Sequence, residues 1–186
     1  MTPLILSFDG KSPRLADDVF VAETATVIGD VEIGARSSLW YGAVLRGDLN
    51  WIRVGRNTNI QDGAIVHVNH ERDGAPGGEP TTIGDDVLIG HLALIHACTI
   101  GDGAFVGMRA VVMDRAVIEP GAMVAAGSVV TPGKVVAAGQ LWAGTPARYV
   151  RDIRPEERAE NAYLVDHYCG LAATYLRDRA RNAASG

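Results

Sequence analysis

The chain has 186 residues, 47% of them hydrophobic, with a formal net charge of −5 and two cysteines. The acidic balance argues against a nucleic-acid surface, which carries a basic face, and no apolar run is long enough to predict a membrane span. Cys98 and Cys169 offer no disulfide framework and the start, MTPLILSFDG, has neither the basic nor the apolar region of a secretory signal, so a reduced, cytoplasmic setting is expected.

From Val21 onward the chain keeps a beat of six. Aliphatic residues recur at Val21, Val27, Ile33, Leu39 and Leu45 and, after a slip of three residues, at Val54, Ile60 and Val66. The series returns at Ile83, Ile89 and Ile95. After the loss of one residue it runs on through Ile100, Val106, Val112, Ile118, Val124, Val130 and Val136. Four positions after the anchor the residue is usually small or β-branched, as at Ala25, Ser37, Ala43, Ala64, Ala93, Thr99, Ala104 and Ala110. Glycine often follows the anchor directly, as at Gly34, Gly55, Gly84 and Gly90.

A period of six fits neither an amphipathic helix nor a simple alternating strand. It fits a prism with one hexapeptide per side, the aliphatic residue inward and glycine permitting the turn. Three sides close one coil, and successive coils stack as parallel strands about 4.8 Å apart. The series predicts about six coils. Residues 69–80 (NHERDGAPGGEP) leave the beat and read as a protruding loop. Pro155, followed by acidic residues, opens a helix predicted over about 155–181. Tyr163, Leu164, Tyr168, Leu171, Ala172, Tyr175 and Leu176 fall near one of its faces. The expected organisation is a β-helix over 1–150 carrying the loop, then a helical segment over 151–186 packed on its outside.

The same register places the histidines. His67 follows Val66 and His96 follows Ile95, so with the loop set aside both occupy the same side of the prism in adjacent coils. His91 stands two past Ile89, on the preceding side, and points around a corner from the other two. One chain therefore does not close a three-histidine site, whereas a copy placed by threefold symmetry supplies the missing imidazole; the register predicts a homotrimer with a site at each interface. Arg46 and Asp48 fall on the His67 side, and Gln61 and Asp62 on the His91 side. An Arg46–Asp62 pair across the interface and a Gln61 contact to bound water or substrate are expected. His167 reads as an ordinary helix residue.

LRGD at 45–48, NIQDG at 59–63, VH at 66–67, IGH at 89–91, IHACTIG at 95–101 and GTPAR at 144–148 together resemble the γ-class carbonic anhydrase family. The resemblance covers roughly residues 10–180. It implies an all-β, left-handed parallel β-helix with a C-terminal helix. It also implies a zinc ion (or iron or cobalt) on His67, His91 and His96, two ligands coming from one subunit and one from the next. The implied reaction is reversible hydration of CO₂ to bicarbonate by a metal-bound hydroxide. Arg46, Asp48, Gln61 and Asp62 match the residues that build the interface and tune the water. Active members carry a glutamate after the residue matching Asp48, where this chain has Leu49, and a shuttle glutamate on the loop, where it has His70 and Glu71. Either of these two is expected to carry the proton, and Tyr168 to line the site. The competing expectations are an acyl-CoA thioesterase or acyltransferase on the same fold, and a weakly active binding or scaffold protein.

Overall fold

The computed structural model describes residues 2–184. Met1, Ser185 and Gly186, the outermost residues of the two expected segments, lie outside the described residues. Short parallel strands stack into a three-sided β-solenoid capped along one side by the helix Pro155–Ala184. The first face holds Ile65–His67, Leu94–His96, Val111–Val112 and Val129–Val130. The second holds Thr81–Ile83, Thr99–Ile100, Val117–Ile118 and Val135–Val136. The long strands Thr26–Ile33 and Val44–Val54 bend around the edge between these faces and belong to both. The third face runs from Phe20–Val21 through Asn59–Ile60 and Leu88–Ile89 to Gln140–Gly144.

Every aliphatic anchor of the six-residue series faces the axis, and none is more than 5% exposed. The corners are made by residues in the left-handed region, stacked in columns: Arg36, Asn57, Asp86 and Gly103 in one, and Gly42, Gly63, Leu92, Arg109 and Gly127 in another. Glycine after the anchor has a steric reason. A Cβ on Gly34 would meet the backbone of Gly55 at 2.7 Å, and one on Gly55 that of Gly84 at 2.6 Å, so this column of coils closes only without side chains.

Two details differ from the sequence reading. The stack begins before Val21: Leu15 pairs with Ile33, and Ile5 with Val27, across a hairpin at Phe8–Lys11 that hides the earlier beat. At the dropped residue after Ile95 the chain turns through Ala97 at φ 48°. Cys98 then takes the small buried slot at 2% exposure, and Thr99 points to solvent. Burial pushes the Cys98 thiol up to about 12, so it is a core residue and not a reactive one.

The helix starts at Pro155, and Glu157 reaches back to the Arg154 backbone N–H at 2.9 Å while gripping the Arg151 guanidinium with both oxygens. It buries Asn161, Val165, Cys169 and Ala172 against the third face. Tyr163, expected on the packed side, is 61% exposed. The buried stripe is set by the small residues that lie close on the prism, and the larger rings flank it. Tyr175 packs among Phe20, Trp40 and Tyr41. Among the described residues no helix is long and apolar enough to cross a membrane.

Candidate metal centre

Val66 and Ile95 are fully buried, so the next side chains along their strands, His67 and His96, point outward from the first face. The two strands pair with His67 opposite His96. The rings lie 5.3 Å apart, and His67 Nδ1 stands 3.3 Å from His96 Nε2.

Each outer ring nitrogen meets a carboxylate. The slip in the six-residue beat is an insertion in the strand Val44–Val54, where the pairing jumps from Gly29–Gly47 to Val31–Ile52. It swings Asp48 over His67, whose Nε2 donates to Oδ1 at 3.0 Å, while Arg46 closes on Oδ2. One coil beyond His96, Asp114 Oδ1 accepts from His96 Nδ1 at 2.6 Å. Burial pushes both carboxyls up, but the hydrogen bonds outweigh it, from Arg46 and His67 at Asp48 and from His96 and Asn69 at Asp114, and both lie below the usual carboxylate range. Burial lowers the His67 pKa; Asp48 opposes this and Arg46 adds to it, leaving the imidazole below its ordinary value and neutral.

The donor set fits a zinc-type ion. In the tautomers whose outer nitrogens donate to Asp48 and Asp114, the two inner nitrogens, 3.3 Å apart, both carry lone pairs that can meet a cation. Two imidazole nitrogens on one tetrahedral zinc stand about 3.3–3.4 Å apart, and a carboxylate behind each ligand is the usual supporting arrangement.

His91 sits at the corner between the third and first faces. Its Nδ1 donates to Asp62 Oδ2 at 2.9 Å, and its backbone N–H donates to Oε1 of the buried Gln61 at 3.1 Å. Leu92, directly after it, is held at φ 60°, a conformation a bulky residue rarely adopts, and its side chain occupies the room left by the missing Cβ of Gly63. Among the described residues no three His, Cys, Asp or Glu side chains of the single chain converge to hold a metal. Arg46 and Asp62, expected to meet across an interface, each have a partner in their own chain, Asp48 and His91. Gln61 positions the His91 backbone through its carbonyl. His70 and Glu71 are exposed on the loop, and Tyr168 stands edge-on to Trp40 at 5.6 Å beneath the helix, away from the His67–His96 face of its own chain. Large apolar side chains are exposed on the first face and its edge: Ile65 (43%), Leu94 (37%), Leu92 (54%) and Met108 (55%).

Sequence reasoning missed Asp114 and the loop residues Asn69 and Glu79. Asp114 had a readable signal, since it stands 18 residues after His96, one full coil. Glu79 is buried beneath the loop and is held by Asn69, Arg115 and Arg72. The Asn69 hydrogen bond, against an opposing burial effect and with help from the two arginines, holds its carboxyl below the usual range. A carboxyl depressed in the folded state stabilises it above the unfolded pKa of about 4.3 and loses that contribution as pH falls through the folded value. Glu79→Gln is therefore expected to lower the melting temperature at pH 7 by about 2–4 °C. The difference from the parent closes below the usual carboxylate range; a gap unchanged at low pH would show that the charge is not the source.

Comparison with known proteins comes to the same region of sequence. The bacterial transferase hexapeptide family (six repeats) matches residues 80–112 and 97–132. Gamma carbonic anhydrase 2, mitochondrial, of Arabidopsis thaliana is 47% identical over 173 residues, covering 92% of this chain and 62% of that protein, so the chain spans under two thirds of that relative's length. The carbonic anhydrase of Geobacillus kaustophilus is 37% identical over 166 residues, 87% of each chain. Among solved structures, a hexapeptide transferase family protein from Anaplasma phagocytophilum superposes with a TM-score of 0.87 at 45% identity, covering 94% of this chain and 99% of that one.

Proposed function

This chain belongs to the γ-class carbonic anhydrase-like family of hexapeptide-repeat proteins, and on that premise we propose that it is a metal-dependent enzyme that hydrates CO₂ reversibly to bicarbonate at the interfaces of a homotrimer. The observation that carries the reading is the pair of imidazole nitrogens facing each other at 3.3 Å, each ring backed by a carboxylate. His67 and His96 of one subunit would hold the ion together with His91 of the partner subunit. His91 bears the same mark as the other two: Asp62 stands behind it as Asp48 stands behind His67 and Asp114 behind His96. The three carboxylates fix the tautomers and strengthen the nitrogens as donors. The ion is zinc, or iron or cobalt, which the same nitrogens suit. When bound, it lowers the pKa of its water to about 7 and so provides a nucleophile at neutral pH. Arg46 keeps Asp48 ionised and aimed at His67, and Gln61 and Leu92 fix the backbone from which His91 projects. Exposed Ile65, Leu94, Leu92 and Met108 supply the apolar surface that subunit contact would cover. His70 and Glu71 take the role of proton carriers at the loop.

Likeness to a hexapeptide transferase favours a second reading, cleavage or transfer of an acyl group from a coenzyme A ester at the same site. Metal content, CO₂ hydration and acyl-CoA hydrolysis measured on one purified sample separate the two. The expected result is one ion per chain, with CO₂ hydration lost on chelation and restored by zinc. A fully metallated protein that cleaved acyl-CoA and hydrated no CO₂ would transfer the assignment to the second reading. A protein that bound no metal would end both.

A further inference from the structure

The loop 69–80 is tied to the candidate metal centre by one side chain. The Asn69 amide nitrogen donates to Glu79 Oε2 at 2.8 Å and to Asp114 Oδ2 at 2.8 Å. Asp114 uses its other oxygen, Oδ1, on His96 Nδ1 at 2.6 Å. Glu79 is in turn clamped by Arg115 and faced by Arg72 at 3.6 Å. The loop backbone is closed by the Asn50 amide, which donates to the carbonyls of Asn69 at 3.2 Å and Gly77 at 2.9 Å. At the other end of the loop, Thr81 Oγ1 donates to the His67 carbonyl at 2.6 Å.

We propose that Asn69 is a positioning residue that latches the loop to His96 through Asp114, so that closure of the loop and retention of the metal are linked. The argument rests on the reading that His67 and His96 hold an ion. An NH₂ group has two hydrogens in a fixed plane, and here both are used, one on each of two carboxylates that would otherwise repel. That bridge is what keeps Asp114 turned with Oδ1 on the imidazole. A side chain without donors at position 69 frees Asp114 to rotate, loosens the His96 ring and unlinks Glu79. The coupling is reciprocal by linkage: an ion that orders His96 also holds the loop closed.

Two measurements on the full-length protein test this, with Zn²⁺ alone as the probe. Zn²⁺ affinity is read by competition with a chromophoric chelator for the parent, Asn69→Leu, Asp114→Asn and the double variant, with circular dichroism as the control for folding. Loss of a group that orients a ligand typically weakens metal binding about 10–100-fold, and that is the range expected for Asn69→Leu. The double variant is expected to bind no more weakly than Asp114→Asn, because both substitutions break one chain of contacts. The second measurement needs no variant: trypsin cleavage after Arg72 in the parent is expected to slow about tenfold or more on Zn²⁺ saturation. Zn²⁺ affinity of Asn69→Leu within twofold of the parent, fully additive losses in the double variant, or equal cleavage with and without Zn²⁺ each overturn the latch. A parent that binds no Zn²⁺ brings down the metal reading and the latch together; a parent that binds it while any of those three results holds leaves the metal reading standing and removes only the latch.

Discussion

Replacing His96 by alanine is expected to strip the protein of its metal and to lower CO₂ hydration by about a thousandfold or more, because the nucleophile exists only while the ion is held. The variant should remain folded. His96 points outward, and the adjacent Ile95, fully buried, still fills the core of its coil. His67→Ala is expected to do the same, and the double variant to be no worse than either single one, since one missing nitrogen already opens the chelate. Asp114 would be left with Asn69 as its remaining partner and should tolerate the loss, because it is not sealed from water. Elemental analysis after gel filtration, followed by stopped-flow hydration assays, reads both effects. Stoichiometric zinc with hydration within about tenfold of the parent would show that the facing imidazoles are a packing arrangement and that the ion, if any, sits elsewhere.

The second large effect is a recovery. His67→Ala and His91→Ala are each expected to be inactive alone. Unfolded together and reassembled at equal amounts, they are expected to regain about a quarter of parental activity and zinc content. The figure follows from the geometry proposed for the trimer. Each interface takes His67 and His96 from one subunit and His91 from its neighbour, so a mixed trimer always contains a single intact site among three. Random assembly makes three trimers in four mixed. A site completed within one chain would give no recovery at any mixing ratio. The structure supplies the reason to expect the recovery: His91 is held on a different edge of the prism by Asp62, Gln61 and a strained Leu92, and none of these contacts turns it toward the pair.

The six-residue beat was legible along most of the chain because each anchor is a bulky aliphatic residue with nowhere to go but inward. Once that register is counted, the stacking of His67 on His96 follows from the neighbours Val66 and Ile95, and the displacement of His91 follows from Ile89. The beat was blind where the chain leaves it. Ile5 and Leu15 belong to the stack, but the hairpin at Phe8–Lys11 breaks the count before Val21. Thr99 was placed inside by counting from Ile95, and the shortened corner at Ala97 gave that place to Cys98.

By itself, then, the sequence determined the solenoid, its three faces and which imidazoles share a face, since these depend on a periodicity that side-chain volume and burial enforce residue by residue. Only the tertiary structure decided that Asp48 stands behind His67 and what the loop does. Asp48 reaches His67 through an insertion that shifts the register of its strand, and Asn69, itself tied to Glu79, reaches Asp114 from a loop with no period at all. Such contacts are set by the path of the chain through space and by the need of buried polar groups for partners, and spacing along the sequence carries no record of either.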